Sequence, residues 1–457
     1  MNVLFLMVDE MSWWALGHVN PAVHTPNIDA LAARSMRFTQ AYTPSPICVP
    51  TRACVATGQY LHNLSNWSSA EPYTGTPRGW AHRIRSSGAD CVSIGKLHYR
   101  SAEDDTGFAE QMAPTHVVNR EGWVQALLRR PIEPDEAPES LAADIGPGET
   151  DYHRYDRKVA SLAVDWLMDP ARKTKPWCAF VSLLAPHFPL MAPEADFALY
   201  DASAFAGDAE PVPDHPIIQE LAGYFCHDQF FESETRGVAK ASYFGACTFV
   251  DRQVGRVLDA LTASGQADDT VILFTSDHGE MLGEKGMWTK SNMYDSAARV
   301  PLLMAGPDVP EGEWTEPVSL IDIAPTICNA IGLDAEFPGT DLHKPEQDRV
   351  VLSEYHDGGC STGITMIRWG KWKLVHYADG YRPQLFDMAA DPGELQDLWQ
   401  DRPDIVAEGR RRLSEFMDPE EVNARALRDQ SKRIAELGGA DAIRARGQFS
   451  YTPADAS

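Results

Sequence analysis

The sequence predicts an α/β fold: a mostly parallel sheet sandwiched by helices, followed by a smaller C-terminal α+β subdomain. Three observations carry this. Short, almost wholly apolar runs alternate with helical stretches for most of the chain, the pattern of strands buried on both faces. Three of those runs end abruptly in polar clusters, as strands do at the working edge of an open sheet. Past about residue 345 the texture changes to closely spaced short runs, the pattern of antiparallel strands.

The elements follow in order. Residues 3–8 (Val-Leu-Phe-Leu-Met-Val) read as the first buried strand, and residues 91–94, 178–184 and 271–275 as later ones. Residues 27–34 and 158–166 read as helices. The longest helix is expected over 234–261, where Tyr243, Ala246, Val250, Val254, Val257, Leu258 and Leu261 recur at helical spacing. The stretch 131–148, rich in Pro, Glu, Asp and Ala, reads as an exposed loop, and 201–216 as a second Pro- and Asp-rich connection. Residues 350–354, 363–368 and 372–377 read as short antiparallel strands, and a polar, helix-prone tail begins at Pro403. The division this suggests is a catalytic domain over 1–345 and a C-terminal subdomain over 346–457, with a small sheet and a helical tail. No internal repeat is evident.

Composition narrows the function. The chain of 457 residues can bury a large core. A net charge of −26 argues against a nucleic-acid partner, since binding phosphate chains needs a cationic footprint. No apolar run is long enough to cross a bilayer, so no membrane partner is expected. The first strand lacks the cationic start and cleavage site of a signal peptide, so, with residue 1 as the start, the expectation is a cytoplasmic protein. The eight cysteines are scattered with no CxxC pair, a reduced-thiol pattern.

The polar strand ends hold the chemistry. Val8 is followed by Asp9-Glu10, Ile94 by Gly95-Lys96-Leu97-His98, and Ser276 by Asp277-His278-Gly279. Two acids after one strand and an Asp-His pair after another can hold a hard divalent cation through oxygens and one imidazole. Each cluster alone reads as turn or cap residues; three together at strand ends point to a site.

The segment Cys48-Val49-Pro50-Thr51-Arg52 resembles the C-x-P-x-R maturation signature of the type I, formylglycine-dependent sulfatases. Other segments resemble that family in its order. They are Val8-Asp9-Glu10-Met11, the run Thr25-Pro26-Asn27-Ile28-Asp29-Ala30-Leu31-Ala32, Thr57-Gly58 closing the helix after the nucleophile, and Gly95-Lys96-Leu97-His98. Ala185-Pro186-His187-Phe188-Pro189, Ser276-Asp277-His278-Gly279, Met287-Trp288-Thr289-Lys290 and Arg299-Val300-Pro301-Leu302 follow. Leu385-Phe386-Asp387 with Asp391-Pro392-Gly393-Glu394-Leu395 matches a C-terminal family signature.

The resemblance implies an alkaline-phosphatase-like fold and hydrolysis of a small-molecule sulfate ester. It implies that a formylglycine-generating enzyme oxidises Cys48 to formylglycine, whose hydrate attacks sulfur and expels the alcohol; deprotonation of the second hydroxyl then ejects sulfate. It implies one divalent metal ion at Asp9, Glu10, the modified Cys48, Asp277 and His278. Calcium is the family default, and manganese is the alternative that an imidazole ligand suits. By the same resemblance, Arg52 contacts the metal-side oxygens or the diol, and Lys96 and Lys290 clamp sulfate oxygens. His98 is the base for the second hydroxyl, and His187 with Lys290 serves the leaving group.

The chain departs from the family at Glu10, where Asp is usual and Gln is frequent in the branch that carries His at the position of His278. Its layout is nearer to choline sulfatase than to lysosomal arylsulfatases, the run from Ser276 to Trp288 and Trp123 being among the reasons. Related phosphonate monoester and phosphodiester hydrolases tend to carry Tyr and Thr where this chain has Lys96 and His98, which favours a sulfatase. A non-catalytic scaffold would be expected to lose Cys48, Arg52 or Asp277, and all are present. The sulfated alcohol and a homo-oligomeric state are left open.

Overall fold

Alternation along a single strand organises the molecule. In this computed structural model, which describes residues 1–132 and 138–447, Leu4, Leu6 and Val8 join the core on one face of the central sheet, and Val3, Phe5 and Met7 join the core on the other. A strand buried on both faces has no polar side to present, which is why residues 3–8 read as one apolar run.

The central sheet contains, in chain order, β1 (Asn2–Asp9), β2 (Met36–Phe38), β3 (Asp90–Lys96), β4 (Glu110–Thr115), β5 (Trp177–Pro186), β6 (Thr270–Ser276), β7 (Leu302–Ala305) and β8 (Gly312–Trp314). Their spatial order is β8-β2-β7-β6-β1-β5-β3-β4. The pairings are parallel except those of β7, which runs antiparallel to β6 and β2. β1 is central, with Val3 opposite Cys178 on one side and Val271 on the other.

Helices α3 (Asp151–Met168) and α4 (Ser233–Ala263) cover the face that holds Leu4 and Leu6, contributing Tyr155, Val159, Val250 and Val254. The opposite face is covered partly by α2 (Cys48–Thr57), whose Ala53, Val55 and Ala56 join Phe5, Trp80 and Phe180. Phe5 stacks on Phe180 at 4.8 Å and meets Trp80 edge-on at 6.4 Å. Large side chains buried this fully contribute on the order of 1.5–3 kcal/mol each. Helix α1 (Pro26–Ala33) opens on a proline, which supplies its fixed φ where no N–H is needed.

The C-terminal part is a four-stranded antiparallel sheet of β9 (Val350–Tyr355), β10 (Ile364–Trp369), β11 (Trp372–Tyr377) and β12 (Gln384–Asp387), paired in that order. Helices α5 (Pro403–Ser414) and α6 (Pro419–Glu436) follow in the expected tail, whose residues 448–457 lie outside the described residues. In the stretch read as a loop over 131–148, Ser140–Ala143 form a helical turn and Ile145–Pro147 a short strand, while 133–137 also lie outside them. Among the described residues no helix is long and apolar enough to cross a membrane.

Candidate active site

Four central strands deliver their carboxyl ends to one place. Asp9 closes β1, Lys96 closes β3, His187 follows β5, and Asp277-His278 follow β6. The pairing register shifts between Met7 and Asp9 on β1, and between Ile94 and Lys96 on β3. Such irregularities re-aim the residues they precede, here into the site.

Cys48 is the first residue of α2, so it sits at the positive end of a helix dipole. Pro50 lies in the first turn, where a missing N–H costs nothing, and Gly58 closes the helix in a left-handed conformation (φ 66°) with its N–H on the Cys54 carbonyl. Arg52 stands four residues after Cys48 and so on the same side of the helix.

Asp9, Cys48, Asp277 and His278 each offer a ligand atom, all within 4.8 Å of one another, and all four residues are buried. Among the described residues no other group of three or more His, Cys, Asp or Glu side chains converges in this way. The Cys48 Sγ lies 3.0 Å from His278 Nε2 and 3.7 Å from Asp9 Oδ1. His278 Nε2 is 3.7 Å from an oxygen of each carboxylate. Its Nδ1 meets the Gly279 carbonyl at 3.1 Å. Since a carbonyl only accepts, Nδ1 carries the proton and Nε2 turns a lone pair into the cluster, the tautomer a metal-binding imidazole needs. Burial, helped by Asp9, pushes the Cys48 thiol up, so the unmodified side chain is a neutral thiol at physiological pH.

Cations stand around these acids. The Lys96 ammonium bonds Asp9 Oδ2. Burial works to raise the pKa of Asp9, but Lys96, with Arg52, outweighs it and holds the carboxyl well below its usual range. Arg52 donates from Nε to Asp277 Oδ2 at 2.8 Å, and from Nη1 to the Lys96 carbonyl and Ser182 Oγ, both at 3.0 Å. The guanidinium therefore braces the ends of β3, β5 and β6 and fixes the Asp277 carboxylate.

His98 follows Lys96 in a left-handed backbone conformation (φ 58°), with its N–H on the Thr115 carbonyl at 2.8 Å. Burial, with Lys96 and Arg52, drives its pKa well below the usual range, leaving a neutral imidazole that can accept a proton. His187 is also held neutral, by burial and by Lys290. Its Nδ1 donates to the Phe188 carbonyl at 2.7 Å, so its Nε2 faces Lys290 Nζ, 3.0 Å away, as an acceptor.

Glu10 stands apart from the four-residue cluster. Its backbone is left-handed (φ 66°), its N–H bonds Asp277 Oδ1 at 3.2 Å, and its Oε2 meets Lys290 at 2.9 Å and His187 at 3.3 Å. Burial lifts its pKa to about 8 against the pull of Lys290.

The structure also brings in residues that sequence reasoning did not single out. Ser182 anchors Arg52. Asp156, on α3, accepts the N–H groups of Leu184 and Ala185 at 2.8 Å and so pins the strand end that leads to His187. Glu280 Oε1 accepts the N–H groups of Leu282 (2.7 Å) and Thr289 (2.6 Å), closing the loop before Lys290. Of these, only Glu280 adjoins a segment singled out for its chemistry, directly after Ser276-Asp277-His278-Gly279; Ser182 lies in the run 178–184, which reads only as a strand.

Comparison with known proteins gives the family and the fold. The family model described as "Sulfatase" matches residues 1–333, and that described as "N-sulphoglucosamine sulphohydrolase, C-terminal" matches 283–418. The choline-sulfatase of Rhizobium meliloti is 34% identical over 422 residues, an alignment covering 87% of this chain and 82% of that protein. Human arylsulfatase K is 27% identical over 467 residues, covering 93% and 83%. Among solved structures, the phosphonate monoester hydrolase of Silicibacter pomeroyi superposes with a TM-score of 0.72 at 24% identity, covering 91% of this chain and 94% of that one. At that identity the likeness speaks for the fold.

Proposed function

Because this chain belongs to the sulfatase family and is a sulfuric ester hydrolase, we propose that it cleaves aryl or alkyl sulfate monoesters with formylglycine, made from Cys48, as the nucleophile. The observation that carries the reading is the convergence of Asp9, Asp277 and His278 on Cys48 at the positive end of α2, with Lys96 and Lys290 close by.

The donor set fits a divalent ion. Two carboxylate oxygens and an imidazole lone pair face one point, and the His278 proton is parked on the far nitrogen. Asp9, Asp277, His278 and residue 48 would hold the ion; oxygen donors suit calcium, and the imidazole suits manganese. Bound there, it would supply Lewis acidity toward a hydroxyl on residue 48 and toward the sulfuryl oxygens. Glu10, turned toward Lys290, belongs to the leaving-group side.

Hydrated formylglycine supplies a geminal diol: one hydroxyl oxygen gives up its proton and bonds to sulfur as the bond from sulfur to the ester oxygen breaks and the alcohol leaves protonated. Loss of the second hydroxyl's proton then forms the carbonyl and breaks the bond from carbon to the sulfated oxygen, releasing sulfate and restoring the aldehyde. His98, neutral and buried, takes that second proton. Lys96 and Lys290 meet the negative charge of the sulfuryl oxygens. The Lys290 ammonium, oriented by His187 Nε2 and Glu10, attends the leaving oxygen. Arg52 keeps Asp277 aimed while these charges move.

The test has two parts. Mass spectrometry of peptides spanning Cys48 from active protein should show the mass loss of thiol becoming aldehyde; full activity with only unmodified Cys48 refutes the nucleophile. A panel of aryl sulfates, choline sulfate, phosphodiesters and phosphonate monoesters should give the highest kcat/KM on a sulfate monoester. A phosphonate preference would move the chain to the related hydrolase activity.

A further inference from the structure

The segment that carries Lys290 is held from outside by the C-terminal sheet region, and the grip is symmetrical about the lysine. Lys285 and Asp295 lie five residues to either side of Lys290. Lys285 Nζ donates to the Gly393 carbonyl at 2.7 Å and reaches the Glu394 carbonyl at 3.3 Å. The Asp295 N–H donates to Glu394 Oε2 at 2.7 Å. Lys373, on β11, lies 2.7 Å from both Asp295 Oδ1 and Glu394 Oε1. Lys373, Asp295 and Glu394 are all buried. One turn, Asp391 to Glu394, thus holds both ends of the Lys290 segment, and one β11 cation ties that turn to the segment's far end.

The segment needs holding. Leu282, Lys285, Thr289 and Ser291 all adopt left-handed backbone conformations, with φ of 49°, 54°, 64° and 79°. Non-glycine residues in that region are strained and persist only where the surroundings impose them. Glu280 imposes the shape from inside, through the N–H groups of Leu282 and Thr289, and Ser291 donates to the Pro46 carbonyl beside Cys48. The outer ends of the loop have the 391–394 turn.

We propose that Glu394 is a positioning residue for Lys290: by accepting the Asp295 N–H and presenting the turn that Lys285 grips, it sets how closely the Lys290 ammonium approaches the leaving oxygen. This rests on the assignment of Lys290 to the leaving-group side. Glu394 bonds to the ends of the loop and to Lys373, and its effect travels through the strained loop.

The role is readable in leaving-group dependence, the slope of log kcat/KM against the phenol pKa over a series of aryl sulfates. A cation at the leaving oxygen matters most where the phenolate is poorest. With the matured enzyme, Lys290→Ala should slow esters of weakly acidic phenols about a hundredfold and those of the most acidic about threefold or less. Glu394→Ala should steepen the slope in the same sense, by about tenfold on the poorest leaving groups, and the double variant should be no slower than Lys290→Ala alone. Glu394→Gln, which keeps an acceptor for the Asp295 N–H, should restore most of the wild-type slope even where its melting temperature falls. Where Glu394→Ala does not fold, Lys285→Met removes the other grip and should steepen the slope in its place. Folded variants with a lowered melting temperature and an unchanged slope would make the 391–394 turn purely structural and overturn the proposal. An unchanged slope in Lys290→Ala would instead overturn the leaving-group assignment, and with it the premise.

Discussion

His98 and Asp9 stand at the carboxyl ends of two central strands, yet their surroundings push them in opposite directions. Asp9 is kept ionised by Lys96 and Arg52 against the effect of burial, whereas burial and the same two cations keep His98 neutral. The two residues can therefore serve one turnover at one pH, the first as an anion and the second as a base. The proposed steps make different demands on His98: it is needed to eject sulfate but not to release the alcohol. His98→Ala should give a burst of phenol close to the enzyme concentration in rapid mixing with a chromogenic aryl sulfate, then turnover slowed by about 10²–10⁴. A retained sulfate mass should appear on peptides carrying residue 48. Loss of the burst along with turnover would assign His98 to the first step. At this scale the residues that were legible in the sequence are those on short signatures at strand ends: Asp9, Lys96, His98, Asp277 and His278. Asp156 and Ser182 gave no such signal, because each matters only through a partner far along the chain, Leu184 and Ala185 in one case and Arg52 in the other.

Strands and turns show the same division. β1, β3, β5 and β6 were legible as apolar runs because both of their faces are buried. The antiparallel direction of β7 was not, since a short run that is apolar and buried throughout reads the same in either direction. β2 and β8 are three residues long and mixed in burial, too short for any period to show. The end of β3 depends on Gly95: its φ is 101°, and a Cβ there would lie 2.1 Å from the Ser182 carbonyl. Gly95→Ala should therefore cost more than about 1 kcal/mol and displace Lys96, lowering the melting temperature and activity together. Normal activity in a folded Gly95→Ala protein would show that the Lys96 position tolerates the shift. β9 carries a different dependence. Burial would raise the pKa of Glu354, but His356 and His62 outweigh it and bring it to about 2, with His62 Nδ1 2.8 Å away. A carboxylate whose folded pKa is depressed lends stability that is fully present above about pH 4.3 and is lost as pH falls through about 2. The contribution is roughly 3 kcal/mol, so denaturant unfolding should find Glu354→Gln less stable near neutrality by about that amount. The gap should close between pH 4.5 and 2, and a gap independent of pH would count against the depressed pKa.

Across the whole molecule, the cluster at Cys48 draws on residue 9, residue 48 and residues 277–278, so it exists only when the sheet is complete. An ion bound there binds the folded state alone and must stabilise it by mass action, by about 2.7 kcal/mol at a hundredfold excess over Kd. Adding calcium or manganese to metal-stripped protein should raise the melting temperature, and a chelator should reverse the rise. Asp277→Ala should abolish it. A melting temperature indifferent to metal in the wild-type protein would refute the metal reading. At this scale the sequence was most informative about class and least about contacts between segments far apart along the chain. A run such as Asp391-Pro392-Gly393-Glu394 announces a turn, but nothing local says that the turn grips Lys285 and Asp295.

Every residue of α2 is buried, Cys48 with the rest. No external catalyst reaches a side chain so enclosed unless the helix first leaves its place between the sheet and the C-terminal strands. On the proposed route to formylglycine this makes maturation a race: the chain that folds before it is oxidised is locked as the thiol. The converted fraction then records the relative speeds of folding and modification at synthesis, and later exposure to the modifying enzyme does not raise it. Folded, unmodified protein incubated with formylglycine-generating enzyme and oxygen should remain unconverted, while a peptide spanning residues 44–58 is oxidised under the same conditions. Conversion of the folded protein at a comparable rate would mean that α2 opens far more readily than its burial implies.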